Sequence, residues 1–169
     1  MNKTMKKIFS LMAMVVMMTA MSVMTTACSD DDNGGDVSYV AGDVQGEYAG
    51  VMNMSVPAQP SIAIPPFDTT VKISAQDNGM AVISLPKATY VMNGRELVIP
   101  GFELENVPVV KSGYGAYVVG PAVINREVGG LECKGMLGGT ISGGRFSLEY
   151  SMKVGKMPFD LVFKFAGEK

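Results

Sequence analysis

From Gly46 onward the chain alternates apolar and polar residues with a period of two, and no stretch repeats apolar residues at helical spacing. Tyr48, Met52, Met54 and Val56 fall on one face, with Glu47, Asn53 and Ser55 on the other. Val71, Ile73 and Ala75 alternate with Thr70, Lys72 and Ser74, and Phe102 and Leu104 alternate with Glu103 and Glu105. The longest runs come last. Phe146, Leu148, Tyr150, Met152 and Val154 alternate with Ser147, Glu149, Ser151 and Lys153; then Met157, Phe159, Leu161, Phe163 and Phe165 alternate with Pro158, Asp160, Val162 and Lys164. Each run predicts a strand with one oily face.

The punctuation between the runs fits hairpins. Asp77-Asn78-Gly79, Asn93-Gly94, Gly129-Gly130, Gly143-Gly144 and Gly155-Lys156 supply residues that tolerate the positive φ of tight turns. A two-residue loop at Gly143-Gly144 sets Ile141 opposite Phe146, Leu137 opposite Tyr150 and Cys133 opposite Val154. Cys133 then points inward, and Lys134 lies opposite Lys153, a like-charge pair that a bulge near Gly135 or Gly138-Gly139 would relieve. A two-residue loop at Gly155-Lys156 sets Val154 opposite Met157, Met152 opposite Phe159, Tyr150 opposite Leu161 and Leu148 opposite Phe163. Asn93-Gly94 joins Lys87–Met92 to Arg95–Ile99 with Tyr90 facing Leu97. Four prolines between Pro57 and Pro66 break any strand there and predict a loop at one end of the sheet. The expectation is an all-β, antiparallel up-and-down meander of about eight strands closed into a barrel, since closure removes exposed edges. A two-sheet β-sandwich is the alternative.

The first 27 residues follow a different logic. Lys3, Lys6 and Lys7 precede an uncharged, Met-rich run from Ile8 to Met24, too short for a spanning helix of about 20 residues. Positive, then apolar, then small is the order of a signal peptide. The segment ends Thr25-Thr26-Ala27-Cys28, which resembles the lipobox of bacterial lipoproteins, with Thr25 in place of the usual Leu. The resemblance implies that Cys28 takes a diacylglyceryl group on its sulfur and holds the mature chain on a membrane. Each buried methylene contributes about 0.8 kcal/mol, so several acyl chains anchor firmly. Ser29-Asp30-Asp31-Asp32-Asn33-Gly34-Gly35-Asp36 then reads as a solvated tether. Its acidic start is similar to the export signal of Bacteroidota lipoproteins carried to the cell surface. The expected organisation is a signal peptide over 1–27, lipidated Cys and tether over 28–42, and a β-barrel over 43–169.

Charge changes the picture once the leader is set aside. Three of the 14 basic residues lie in residues 1–27, so 11 remain against 16 acids, and four of those acids sit in the tether. The rest is near neutral and offers no basic field for nucleic acid. The chain has no histidine, which excludes Ser-His-Asp and Cys-His catalysis and leaves a zinc site of the usual kind without ligands. Glu103 and Glu105 alternate with apolar neighbours and should face solvent. Cys133, left without a partner thiol, reads as a small buried apolar residue. No catalytic residue, cofactor or metal site is expected.

Gly46-Glu47-Tyr48-Ala49-Gly50-Val51-Met52 opens the body, and Met157-Pro158-Phe159-Asp160-Leu161-Val162-Phe163-Lys164-Phe165-Ala166-Gly167 closes it. Together with the acidic tether these resemble the calycin-like β-barrel lipoproteins of Bacteroidota, over about Gly46 to Lys169. The resemblance implies an eight-stranded, lipocalin-like barrel and supplies no catalytic residues. Leader, tether and barrel together give the expectation of an exported outer-membrane lipoprotein facing the cell surface, a non-catalytic binding module for a small apolar or amphipathic ligand or a macromolecular partner. The alternative is a structural, accessory or inhibitor-like lipoprotein whose barrel is filled. Met52 and Met54 either fill the core or line a pocket, and Tyr114 and Tyr117, beside glycines, are candidate contact residues. The partners implied are a membrane through Cys28 and that ligand or protein.

Overall fold

The computed structural model describes residues 38–92 and 94–169. The leader, Cys28 and the acidic run through Asp36 lie outside the described residues. A short 3-10 turn, Ala41–Asp43, leads into β1 (Gly46–Ser55), β2 (Phe67–Ala75) and β3 (Ala81–Leu85). A small hairpin follows, β4 (Ala88–Met92) and β5 (Arg95–Ile99), then β6 (Phe102–Val107) and β7 (Val109–Lys111). After a second 3-10 turn at Gly113–Gly115 come the long strands β8 (Tyr117–Val128), β9 (Leu131–Ser142), β10 (Arg145–Val154) and β11 (Leu161–Glu168).

Nine strands form one antiparallel sheet in the order β6-β3-β2-β1-β11-β10-β9-β8-β7. The two edges of that list are consecutive in the chain, separated by Pro108 alone. One run of backbone therefore closes the ring, its first half paired to β3 and its second half to β8. The switch of partner has a local cause. The β3–β6 register shifts between Ala81 and Ile83, opposite Asn106, which sits at φ 57 and whose N–H donates to the Gln76 side-chain oxygen. Pro108 then lacks an N–H to continue the old ladder, while its carbonyl accepts from Gly120. Across the remaining seam the Arg126 guanidinium donates to the Glu103 carbonyl and lies 5.8 Å from the Phe102 ring centroid. Counting β6 and β7 as one position, the barrel has eight staves, as the alternation predicts.

The inward faces meet in a single core. Tyr48, Met52, Ile73, Ile83, Ile124, Cys133, Leu137, Phe146, Tyr150, Phe163 and Phe165 are all buried, and no polar or charged residue is buried among the described ones apart from tyrosines. Aromatic rings pack against one another within the core. Tyr48 meets Phe146 edge-on at 5.2 Å, Phe146 meets Phe165 at 6.0 Å, and Tyr150 stacks on Phe163 at 4.5 Å. Each such ring contributes roughly 1.5–3 kcal/mol by leaving water, and pair geometry adds to it. The outward rows carry exposed ion pairs such as Lys164–Glu149 at 3.2 Å, which contribute little.

Three details differ from the sequence expectation. β10 and β11 pair as Tyr150 with Phe163, Met152 with Leu161 and Leu148 with Phe165, two residues beyond the register that a Gly155-Lys156 loop requires. The connection is longer, so β11 begins at Leu161 and Phe159 stands in the loop. A slip of two keeps every inward residue inward, so alternation alone does not detect it. Second, β9 and β10 run in unbroken register through the glycines, with Lys134 opposite Lys153. The relief comes from Glu132, whose carboxylate lies 2.6 Å from the Lys134 ammonium. Gly135 serves a different need, because a Cβ there would collide with the Ser151 carbonyl where the sheet coils tightly. Third, β4 and β5 are not staves. They form their own two-stranded sheet, in the register Tyr90 with Leu97.

Candidate functional site

The antiparallel ladders bring the same set of chain ends to each mouth of the barrel. The first mouth holds the start of β1, the turn at residues 76–80, the loop at 112–116, Gly143-Gly144 and the end of β11. The chain crosses it before entering β1. Val40 N–H donates to the Val109 carbonyl at 2.9 Å and Ala41 N–H to the Gly79 carbonyl at 3.0 Å. Ala41 and Val44 are buried in the core, and the Tyr48 hydroxyl donates to the Val44 carbonyl at 2.7 Å. Burial pushes the Tyr48 hydroxyl pKa up from its usual 10.0. This mouth is sealed.

The second mouth gathers the proline-containing loop at 56–66, the β4–β5 hairpin, the Gly129-Gly130 turn and the loop at 155–160. Six apolar side chains from these segments and the adjoining strand ends, Ile62, Ile64, Phe67, Leu97, Leu131 and Met157, are only partly buried against the core. The hairpin itself has one buried and one exposed face. Ala88, Tyr90 and Ile99 are buried, while Val91 and Val98 are exposed. The Tyr90 ring meets Phe159 edge-on at 6.4 Å. Among the described residues no backbone hydrogen bond ties the hairpin to the barrel sheet. Tyr90 is 1% exposed, yet its hydroxyl has no hydrogen-bond partner among the described residues. A buried hydroxyl left this way costs roughly 1–3 kcal/mol.

The structure does not bring the four candidate contact residues together. Tyr114 is fully exposed at φ 64 in the loop of the sealed mouth. Tyr117 starts β8 beside it, half-buried, with its hydroxyl 3.3 Å from the Asp43 carboxylate. Met52 and Met54 lie inside the barrel, buried, further along β1 toward the second mouth. Cys28 lies outside the described residues. Glu103 and Glu105 are exposed, and Glu103 accepts from the Ser84 hydroxyl at 3.0 Å. Cys133 is fully buried, with burial pushing its thiol pKa up, as expected of a small core residue. Burial raises the Tyr150 hydroxyl as well. Among the described residues no group of three Cys, Asp or Glu side chains could hold a metal ion. Tyr90 escaped sequence reasoning because it alternates like any core residue. Its one signal was position, in a short hairpin set between two longer runs.

A β-barrel is what the comparisons also find. The model of the calycin-like beta-barrel domain matches residues 44–168. The chain belongs to this family. Calycin-like architecture thus spans nearly all the described residues. No curated protein matches the chain. Among solved structures it is similar to a Bacteroides fragilis protein whose name provisionally places it in the outer membrane. The TM-score is 0.66 at 23% sequence identity, with 78% of this chain and 53% of that chain covered. The chain therefore spans about half the length of that relative, and the likeness concerns the fold.

Proposed function

We propose that this calycin-like protein is an exported, lipid-anchored binding module of the bacterial envelope, non-catalytic, which makes its contacts at the second mouth. The observation that carries the reading is the difference between the mouths: one is tied shut by the incoming chain, and the other gathers half-buried apolar side chains and a hairpin that, among the described residues, makes no backbone hydrogen bond to the barrel sheet. The packed aromatic core limits what binds to a small molecule at the mouth, or to a protein that docks on it. Support for the envelope comes from the Lys-rich leader ending in Cys28, from the acidic run after it, and from the outer-membrane name of the structural neighbour. In this reading residues 1–27 are removed and Cys28 carries the acyl chains, with the acidic run directing the chain to the cell surface.

A second reading is favoured by the filled interior: an accessory or inhibitor-like lipoprotein that binds only other proteins. Native mass spectrometry of protein purified gently from its host separates the two. A co-purifying small molecule supports the first, and a bare mass with a captured protein partner supports the second. Loss of radiolabelled fatty-acid incorporation in Cys28→Ala is expected, and retained label refutes the anchor. Replacing Asp30, Asp31 and Asp32 by Ala should reduce protease access on intact cells; unchanged access argues against surface display.

A further inference from the structure

We infer that the first mouth faces the membrane and that Tyr114, at its edge, sits in the lipid headgroup layer as an aromatic anchor. The inference rests on the lipid anchor proposed for Cys28 and adds the orientation of the barrel and the residue that fixes it.

Chain length sets the first constraint. The described chain begins at residue 38 and enters the barrel at the first mouth, where Val40 N–H donates to Val109 and Ala41 N–H to Gly79. Residues 28–37 lie between Cys28 and that point, and ten residues reach at most about 35 Å when fully extended. The longest strands, β8 and β9, have 12 residues each. At about 3.3 Å per residue and the usual tilt of barrel strands, such a wall is about 30 Å high. An acylated Cys28 therefore keeps the first mouth close to the bilayer whatever path the connecting residues take. The second mouth would reach the bilayer only with those residues stretched nearly taut.

Tyr114 is the second observation. It sits at φ 64, a left-handed conformation that glycine adopts freely and a bulky residue adopts at a cost. No packing within the fold offsets that cost, since the side chain is fully exposed. The loop around it is nevertheless shaped, closed by the Ser112 N–H donating to the Ala116 carbonyl at 2.8 Å. A Cβ added at Gly113 or Gly115 would meet no atom within 4 Å, so the tip has open space on both sides. A ring with an apolar body and a hydroxyl tip suits the headgroup layer, where the ring leaves water and the hydroxyl keeps its hydrogen bonds.

Charge at this mouth is mixed. Lys72 pairs with Glu47 and Arg145 with Glu168, and the exposed Lys111 and Lys169 share the mouth with the exposed Asp43, Asp77 and Glu105. Neither sign dominates. The contact is therefore aromatic rather than electrostatic, and it needs no anionic lipid.

The chain has no tryptophan, so one introduced Trp reports on one place. Lipidated mature protein carrying Tyr114→Trp is reconstituted into phosphatidylcholine vesicles in which a fraction of the lipid is brominated on one acyl chain near the headgroup. Val98→Trp, at an exposed position of the hairpin at the other mouth, is the reference. Bromolipid should quench Tyr114→Trp at least about fivefold more strongly than Val98→Trp, with a blue-shifted emission, and added salt should leave the ratio unchanged. Tyr114→Gly should raise the melting temperature by about 2–4 °C, because it relieves the backbone and loses no internal contact. Quenching no stronger at 114 than at 98, with acyl chains on Cys28 shown by mass spectrometry, overturns the inference and leaves the anchor reading standing. A lowered melting temperature for Tyr114→Gly also overturns it, since Tyr114 would then be serving the fold. A mature chain without acyl groups refutes the anchor, and the orientation falls with it.

Discussion

At one mouth of this barrel, Ala41 and Val44 are buried, and the crossing chain is fixed by backbone bonds to Val109 and Gly79. At the other, six large apolar side chains remain half-covered, and among the described residues the hairpin there makes no backbone hydrogen bond to the barrel sheet. Both ends are closed, by different means. Directional bonds hold the first and tolerate no rearrangement without loss. Non-directional packing holds the second, and such contacts reform around a guest. The same contrast shows in two tyrosines of equal burial, since among the described residues Tyr48 has an acceptor and Tyr90 has none.

The contrast can be broken in order of expected effect. Phe146→Ala removes a ring that touches both Tyr48 and Phe165 and should cost about 3–5 kcal/mol by chemical denaturation. Phe159→Ala, at the loop-bearing mouth and at the edge of burial, should cost about 1–2 kcal/mol. Equal losses would mean the second mouth is packed as firmly as the first. Tyr48→Phe loses its bond to Val44 and should cost about 1 kcal/mol. Tyr90→Phe without ligand should be neutral or slightly stabilising, because no bond is lost; destabilisation like that of Tyr48→Phe would show a partner for Tyr90.

Alkali should weaken the fold gradually. Cys133, Tyr48 and Tyr150 have pKa values raised by burial, so the unfolded chain ionises first. Stability is then full below about pH 9, the usual thiol value, and falls as pH rises through the raised folded values. A Cys133→Ala variant should delay the onset toward 10.0, where tyrosine ordinarily ionises. The smallest effect is expected on the outer wall. Lys164→Ala breaks the exposed pair with Glu149 and should change the melting temperature by no more than a degree or two.

Much of the fold was legible because alternation reports which way each residue faces. The pairing across Gly143-Gly144 and that of Tyr90 with Leu97 hold as read, since two-residue loops leave no freedom in register. The β10–β11 pairing is off by two for the reason that makes alternation informative: it repeats every second residue and cannot distinguish a short loop from one longer by a few residues. The fate of β4 and β5 was hidden for a related reason. A hairpin with one oily face reads alike whether that face lines a barrel wall or belongs to a separate two-stranded sheet.

The sequence by itself determined the strand class, the inward rows, the missing histidine chemistry and the burial of Cys133, because each depends on residue type and local period. Tertiary structure alone decided that one backbone run closes the ring by changing partners at Asn106 and Pro108, and that Tyr90 ends buried with no acceptor among the described residues. Those outcomes depend on which distant segments share a mouth, and long-range placement leaves no periodic trace in the chain.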